Sequence, residues 1–465
     1  MTRMSTLVAG VLGGLLLSVG MVLADDDPRV VELQSKIRAL EQQVADLARG
    51  AGDAATLDEI ERQIQVLARE IESLKLGEAD AEATDGKHGL GPSASKVYGI
   101  KRGVTFGGYG ELIFSSPSDT LQDGSPSGRD ASIDLLRAVL YFGAKLDERI
   151  LFNSEIEFEH VTTGEGDEER GEVTVEFAYL DFAIRDEIGI RAGLVLVPMG
   201  FINERHEPPT YFGTRRPLVE RVILPTTWSE DGVGVFGDVG SMLSYRAYVT
   251  SGLAAAAGTS SGAGGFTAGG IREGRSKGAQ AAAERLALTG RVDVTPVKGL
   301  GVGVSWFTGD AGQGLPLGGG TLDARTTVAD LHAEYRWRGL SARALYARTS
   351  ISNAGDVNVA QGFTGDESVG SRQFGWYAEA GYDVLTHAKA SRQALVPYVR
   401  YEQVNTQDEV PAGFAANPAT DVDLLTVGAM WKPIANVSVK VDWNRTENAA
   451  RTGSDEVNAA LGFMF

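Results

Sequence analysis

Hydrophobic and polar positions repeat with two different periods along this chain, and the change of period divides it. After Pro28, Val30, Leu33, Ile37, Leu40, Val44 and Leu47 step by three and four, a heptad seam with β-branched residues and Leu at alternate core positions. The seam breaks at residues 50–52 and resumes at Leu57, Ile60, Ile64, Leu67, Ile71 and Leu74. This predicts an α-helical coiled coil over 25–76. Each half is short, so its apolar stripe needs a partner: the same segment of other subunits, or the second half folded back on the first. Residues 77–102 read as a linker. Its Ala, Gly, Asp and Glu composition up to Lys96 has no period, and that part is expected to be mobile.

From Gly103 the period is two. In 134–146, Leu136, Ala138, Leu140, Phe142, Ala144 and Leu146 share one face, and Arg137, Tyr141, Gly143 and Lys145 the other. Comparable segments lie at 103–114, 150–160, 173–184, 188–196, 232–238, 243–250, 285–294 and 300–308. Others follow at 326–336, 340–349, 373–383, 394–403, 421–431, 437–444 and 455–465. With 134–146 that makes sixteen, an even number of strands, most of them long enough to cross a bilayer when tilted. Tight turns, as at 147–149, 185–187, 337–339 and 432–434, alternate with long loops, as at 115–133, 251–284 and 350–372. Short turns at one end and long loops at the other are the topology of an outer-membrane barrel, which a soluble sandwich has no reason to follow. At the end of the chain Val457, Ala459, Leu461, Phe463 and Phe465 face one way, as a closing strand in lipid requires. The predicted class is therefore all-β: a transmembrane 16-stranded antiparallel β-barrel over 103–465, with an N-terminal α-helical coiled-coil segment.

The N-terminus fits export. Arg3 precedes an apolar run at 7–23, small residues Val22 and Ala24 sit where cleavage is expected, and an acidic triplet follows at 25–27. Residues 1–24 read as a signal peptide, the alternative being an anchor helix. After it no apolar run is long enough for a helical membrane span. The formal charge of −19 argues against a nucleic-acid partner, and the absence of cysteine is compatible with an exported protein without deciding for it.

Candidate chemistry concentrates in the long connection 197–231, aromatic, Pro-rich and dense in charge. Structureless loops of this length are usually functional. It carries Glu204, Arg205, Glu207, Arg215, Arg216, Glu220 and Arg221, followed by Glu230 and Asp231. A sixteen-stranded lumen is too wide to select small solutes unaided, so this third long loop is expected to fold inward as a constriction. Arginine forks suit carboxylate and phosphate oxygens, and facing acids would set a transverse field. The competing reading is that these charges pair with one another and pin the loop. Alternation places Arg137, Lys145, Arg191, Arg246, Arg291 and Arg400 on the inner wall, along with Glu155, Glu157, Glu159, Glu176 and Glu402, which leaves the net selectivity open.

Other matches carry little. The glycines of 232–237 satisfy GxGxxG, but no helix follows them, and they read as close packing of the loop on the wall. His206 between Glu204, Arg205 and Glu207 has no second cluster to make a metal site, so no metal or cofactor is expected. His88, His160, His332 and His387 are scattered, and no catalytic constellation is found.

The stretches at 137–160, 175–201 and 218–237 resemble the phosphate-selective porins of the O and P type. The shared features are the 142–146 strand, Gly193 with the Pro198-Met199-Gly200 junction, and Glu220-Arg221 before the next strand. The resemblance implies a trimeric Gram-negative outer-membrane channel for phosphate or other anions, with the N-terminal segment in the periplasm. The loop here is as acidic as it is basic, a departure from that pattern. The expected partners are other copies of the chain in a homotrimer, outer-membrane lipid, and small anionic or polar solutes. The alternatives are a structural protein tethering the envelope through its coiled coil, and a barrel enzyme.

Overall fold

The computed structural model describes residues 35–36, 86–160, 171–185, 187–387 and 393–465. The chain divides into two units, Met1–Thr84 and Asp85–Phe465, and the second is the barrel. The predicted signal peptide lies outside the described residues, as does the coiled coil apart from residues 35–36.

Eighteen strands occur among the described residues. The first nine are β1 (Gly103–Pro117), β2 (Ser132–Lys145), β3 (Ile150–Glu159), β4 (Val173–Arg185), β5 (Ile188–Leu196), β6 (Ser229–Val239), β7 (Leu243–Thr250), β8 (Ala287–Val297) and β9 (Leu300–Asp310). A small hairpin, β10 (Pro316–Leu317) and β11 (Gly320–Thr321), sits in the following loop. Then come β12 (Arg325–Trp337), β13 (Leu340–Ile351), β14 (Arg372–Tyr382), β15 (Ala394–Glu409), β16 (Asp421–Ile434), β17 (Val437–Asn448) and β18 (Glu456–Met464). Without the hairpin, sixteen strands form one closed antiparallel barrel. Each matches one predicted segment. The last strand closes on the first in a continuous register, from Tyr109 opposite Met464 to Pro117 opposite Glu456, so no edge is left open.

The burial pattern is inverted relative to a water-soluble protein. Val104, Phe106, Leu140, Val304, Leu331, Val399, Val441 and Leu461 point outward and are exposed, whereas Glu111, Glu155, Arg191, Arg246, Arg400, Glu402 and Asp442 point inward and are buried. Exposed aromatics at strand ends, among them Phe182, Trp337, Tyr382, Trp431 and Phe465, collect where the short turns are. An outward apolar band edged by aromatics is the surface a bilayer selects. Among the described residues six register shifts interrupt the strict alternation, two of them within the lumen wall. The register shift between Glu111 and Leu112 leaves Ile133 and Leu135 outward beside Leu140. The shift between Glu155 and Ile156 turns Glu176 and Phe177 both inward.

The alternation of short and long connections has one exception: the 383–393 connection, on the short-turn side, is as long as some loops. The mobile linker reading also fails for its described part. From residue 86 the segment is fixed inside the barrel, with Leu90, Ala94 and Val97 buried. Ser93 Oγ donates to the Phe465 carbonyl, and Tyr98 donates to Asp181 at 2.6 Å.

Candidate functional site

The loop 197–228 crosses the lumen and is fastened at its base and around the wall. At the base, the Asn203 amide donates to the Val197 and Trp228 carbonyls at 2.7 and 2.9 Å and accepts from the Trp228 N–H at 2.7 Å. Gly200 turns the chain inward with φ +63°, a conformation that favours glycine, and a Cβ there would stand 2.4 Å from Glu220 Oε2. Its N–H donates to Asp330 at 3.1 Å, and its carbonyl accepts from Arg291. Pro208 and Pro209 then hold a tight turn, with no N–H of their own to satisfy.

Farther along, Tyr211 donates to Glu111 at 3.0 Å. Thr214 donates through both its N–H and its hydroxyl to Asp442, at 2.7 and 3.0 Å. Lys440 donates to the Gly213 carbonyl at 2.8 Å. The one-turn helix Val219–Val222 is fixed by Glu220, whose carboxylate accepts from the Phe201 and Ile202 N–H groups at 2.8 and 2.7 Å and from Tyr377 at 2.6 Å. Burial pushes the Glu220 carboxyl up to about 6 against the pull of these donors.

The remaining sequence-predicted residues separate into paired and unpaired groups. Glu204 faces Arg246 at 3.2 Å and Arg291 at 3.9 Å. Arg205 reaches Glu334 at 3.5 Å. His206 meets the buried Glu155 at 2.9 Å; burial disfavours the imidazolium, but that carboxylate outweighs it and raises the His206 pKa. Arg215 donates to Ser115 at 2.8 Å and lies 3.7 Å from Glu456.

On the wall, Arg137 is surrounded by Glu111, Glu157 and Glu159 at 3.2, 2.8 and 3.4 Å. Arg191 grips Asp181 with two bonds at 2.8 and 2.9 Å, and Arg246 also holds Asp293 at 2.9 Å. Lys145 stands at the short-turn end of β2 opposite Gly103, away from the loop. Pinning by ion pairs therefore accounts for most of these charges.

Arg216 and Arg221 are different. Neither has a carboxylate within 4 Å among the described residues, and the Nε of each lacks a hydrogen-bond partner. Arg216 comes only within 3.5 Å of the Tyr109 hydroxyl. Burial pulls Arg221 down to about 10 against the nearby Glu402 carboxylate, with Arg215, Arg400 and Arg272 adding to the fall, so it keeps its charge at neutral pH.

Two further cations escaped the sequence reading. The connection 251–286 folds onto the loop, placing Phe266 and Ile271 in one apolar cluster with Val197, Met199 and Trp228. Its Arg272 donates to the Thr226 carbonyl, and its Arg275 to the Pro225 and Thr227 carbonyls at 3.0 and 2.5 Å. Neither has a carboxylate partner among the described residues. The only sequence signal was two arginines three apart in a long loop.

Two placements correct the sequence reading. β6 begins at Ser229, so Glu230 and Asp231 belong to the wall, with Asp231 on its outer face. The glycines of 232–237 admit neighbouring strands rather than the loop: a Cβ at Gly234 would lie 2.0 Å from the Ala247 carbonyl. Among the described residues no group of three or more His, Asp or Glu could hold a metal ion.

No family model matches the chain. A protein of Aquifex aeolicus described as uncharacterized is 37% identical over 383 residues, which cover 81% of this chain and 83% of that protein. Among solved structures, Salmonella typhi OmpF in complex with daunomycin superposes with a TM-score of 0.51 at 14% identity, over 78% of this chain and 98% of its own. The outer-membrane channel DcaP of Acinetobacter baumannii does so with a TM-score of 0.49 at 10% identity, over 78% and 97%. The likeness to OmpF is one of barrel fold.

Proposed function

The chain belongs to one family with the Aquifex aeolicus protein, and from its closed sixteen-stranded barrel we propose that it is an outer-membrane porin, a passive channel for small hydrophilic and preferentially anionic solutes such as phosphate. The outward apolar band sits in the outer membrane, the short turns face the periplasm, and the long loops face outside. The protein catalyses no reaction, and copies assemble through the lipid-facing wall as trimers. Glu204, Arg205, Glu207, Arg215, Arg216, Glu220 and Arg221 shape the constriction. Arg137, Arg191 and Arg246, held by acids, stiffen the wall behind it.

One observation carries the anionic preference: Arg216, Arg221, Arg272 and Arg275 have no carboxylate partner among the described residues, although the chain as a whole carries −19. Guanidinium groups without a direct carboxylate partner raise the local anion concentration and present forks to oxyanions. In planar bilayers, phosphate should reduce chloride current through the wild-type protein. Arg216→Ala, Arg221→Ala and Arg272→Ala together should abolish that effect. Current that is indifferent to phosphate would remove the anionic reading and leave the channel.

A second reading is favoured by the amount of chain inside the barrel. The loop 197–228, the connection 251–286 and residues 86–99 all occupy the lumen. A barrel plugged by them would serve as an envelope anchor, and a folded wild-type protein that passes no current would establish that.

A further inference from the structure

We propose that the segment ahead of β1, residues 86–99, is a second selectivity element of the channel, a built-in strap that forms one wall of a vestibule beneath the constriction and limits solute size there. This rests on the channel reading above. The strap is tied to the wall and to the loop at once. Tyr98 bonds Asp181 at 2.6 Å and accepts from Arg191 at 2.9 Å; Asn153 donates to the Ala94 carbonyl at 2.9 Å; and the Gly91 N–H donates to the Glu204 carbonyl at 3.2 Å. Leu90 and Val97 are each 1% exposed, so the strap is anchored by packing as well.

Its course under the loop depends on the lack of a side chain. Gly89 has φ +88°, and a Cβ there would meet Arg246 at 2.4 Å and Glu204 at 2.8 Å. Residues 86–90 line a cavity of about 380 Å³ whose other walls include Phe201, Glu204 and Arg205 of the loop and Arg246 and Glu334 of the barrel. The cavity lies at the short-turn end, where Asp238, Ser244, Thr295 and Gly301 also border it.

A solute that has passed the loop toward the periplasm enters this space. Most of its wall charges are matched, Arg246 with Glu204, Arg205 with Glu334 and Arg291 with Asp293. The vestibule therefore filters by size, while the unpaired arginines above it filter by charge.

The chain has no cysteine, so one introduced thiol reports on one place. Lys87 lines the cavity with an exposed side chain. In full-length Lys87→Cys, a bulky neutral maleimide added from the short-turn side should lower single-channel conductance by at least about twofold and tighten the size limit for neutral solutes, with the reversal potential unchanged. Labelling of Asp130→Cys, on an exposed long loop, should do neither. Complete labelling of Lys87→Cys without a fall in conductance would overturn the strap, as would a conducting channel whose thiol cannot be labelled. A wild-type protein that passes no current would sink the channel reading itself, which separates the two failures.

Discussion

The Glu220 carboxylate accepts the Tyr377 hydroxyl at 2.6 Å, and through that bond the helical turn of the loop 197–228 is held to the inner face of β14. The same carboxylate takes the N–H groups of Phe201 and Ile202, so one buried side chain closes the loop on itself and onto the wall. Tyr377→Phe deletes one bond to a buried ionisable group. The loss of stability should be about 1.5–3 kcal/mol by thermal unfolding in detergent. An unchanged midpoint would show that the bond does not hold the loop.

The anchor titrates. Burial raises the Glu220 carboxyl to about 6, above its ordinary value. A raised carboxyl pKa means that the folded state takes up the proton more readily, so the stabilisation is full below the unfolded pKa and is lost as pH rises through about 6. From about pH 4.5 to 6.5 wild-type stability should fall by about 1.5 kcal/mol. Glu220→Gln should flatten that slope, and a slope identical in both proteins would refute the assignment.

His206 and Glu155 form a buried pair at 2.9 Å, each nearly inaccessible. His206→Ala leaves a carboxylate without its partner inside the barrel, at a cost of about 3–5 kcal/mol. Unfolding in urea measures the loss. A loss below about 1 kcal/mol would mean that water replaces the imidazole and that the loop is less tightly seated than its contacts imply.

Leu331 lies midway along β12 with 59% of its surface exposed. On a water-facing surface Leu331→Arg would shift stability by no more than about 0.5 kcal/mol. On the lipid face of a barrel it should cost about 2–4 kcal/mol, seen as reduced folding into phospholipid vesicles. Wild-type folding yield for this variant would contradict the membrane placement of the band.

The sixteen wall strands were legible because each one alternates, and the alternation has a physical cause: one face meets lipid and the other meets water and charge. The inward loop was legible from its length and its charges. Which of those charges stay unpaired was not, because pairing joins residues far apart in sequence, such as Arg205 with Glu334 and Glu204 with Arg246. Arg272 and Arg275 were passed over for the same reason, since nothing local marks the connection 251–286 as packing on the loop. The strap was misjudged because small, aperiodic residues suit a mobile linker and a thin segment threaded through a crowded lumen equally well. Asp231 was misplaced because β6 begins three residues earlier than the expected 232, and parity then sets it on the outer face.

The most direct test is the reversal potential of single wild-type channels in a planar bilayer under a potassium chloride gradient. The unpaired Arg216, Arg221, Arg272 and Arg275 require steady ohmic current with a reversal potential of the sign set by chloride. A potential of the opposite sign would show that the acids of the lumen win and contradict the anionic constriction, and the absence of current from folded protein would contradict the channel itself.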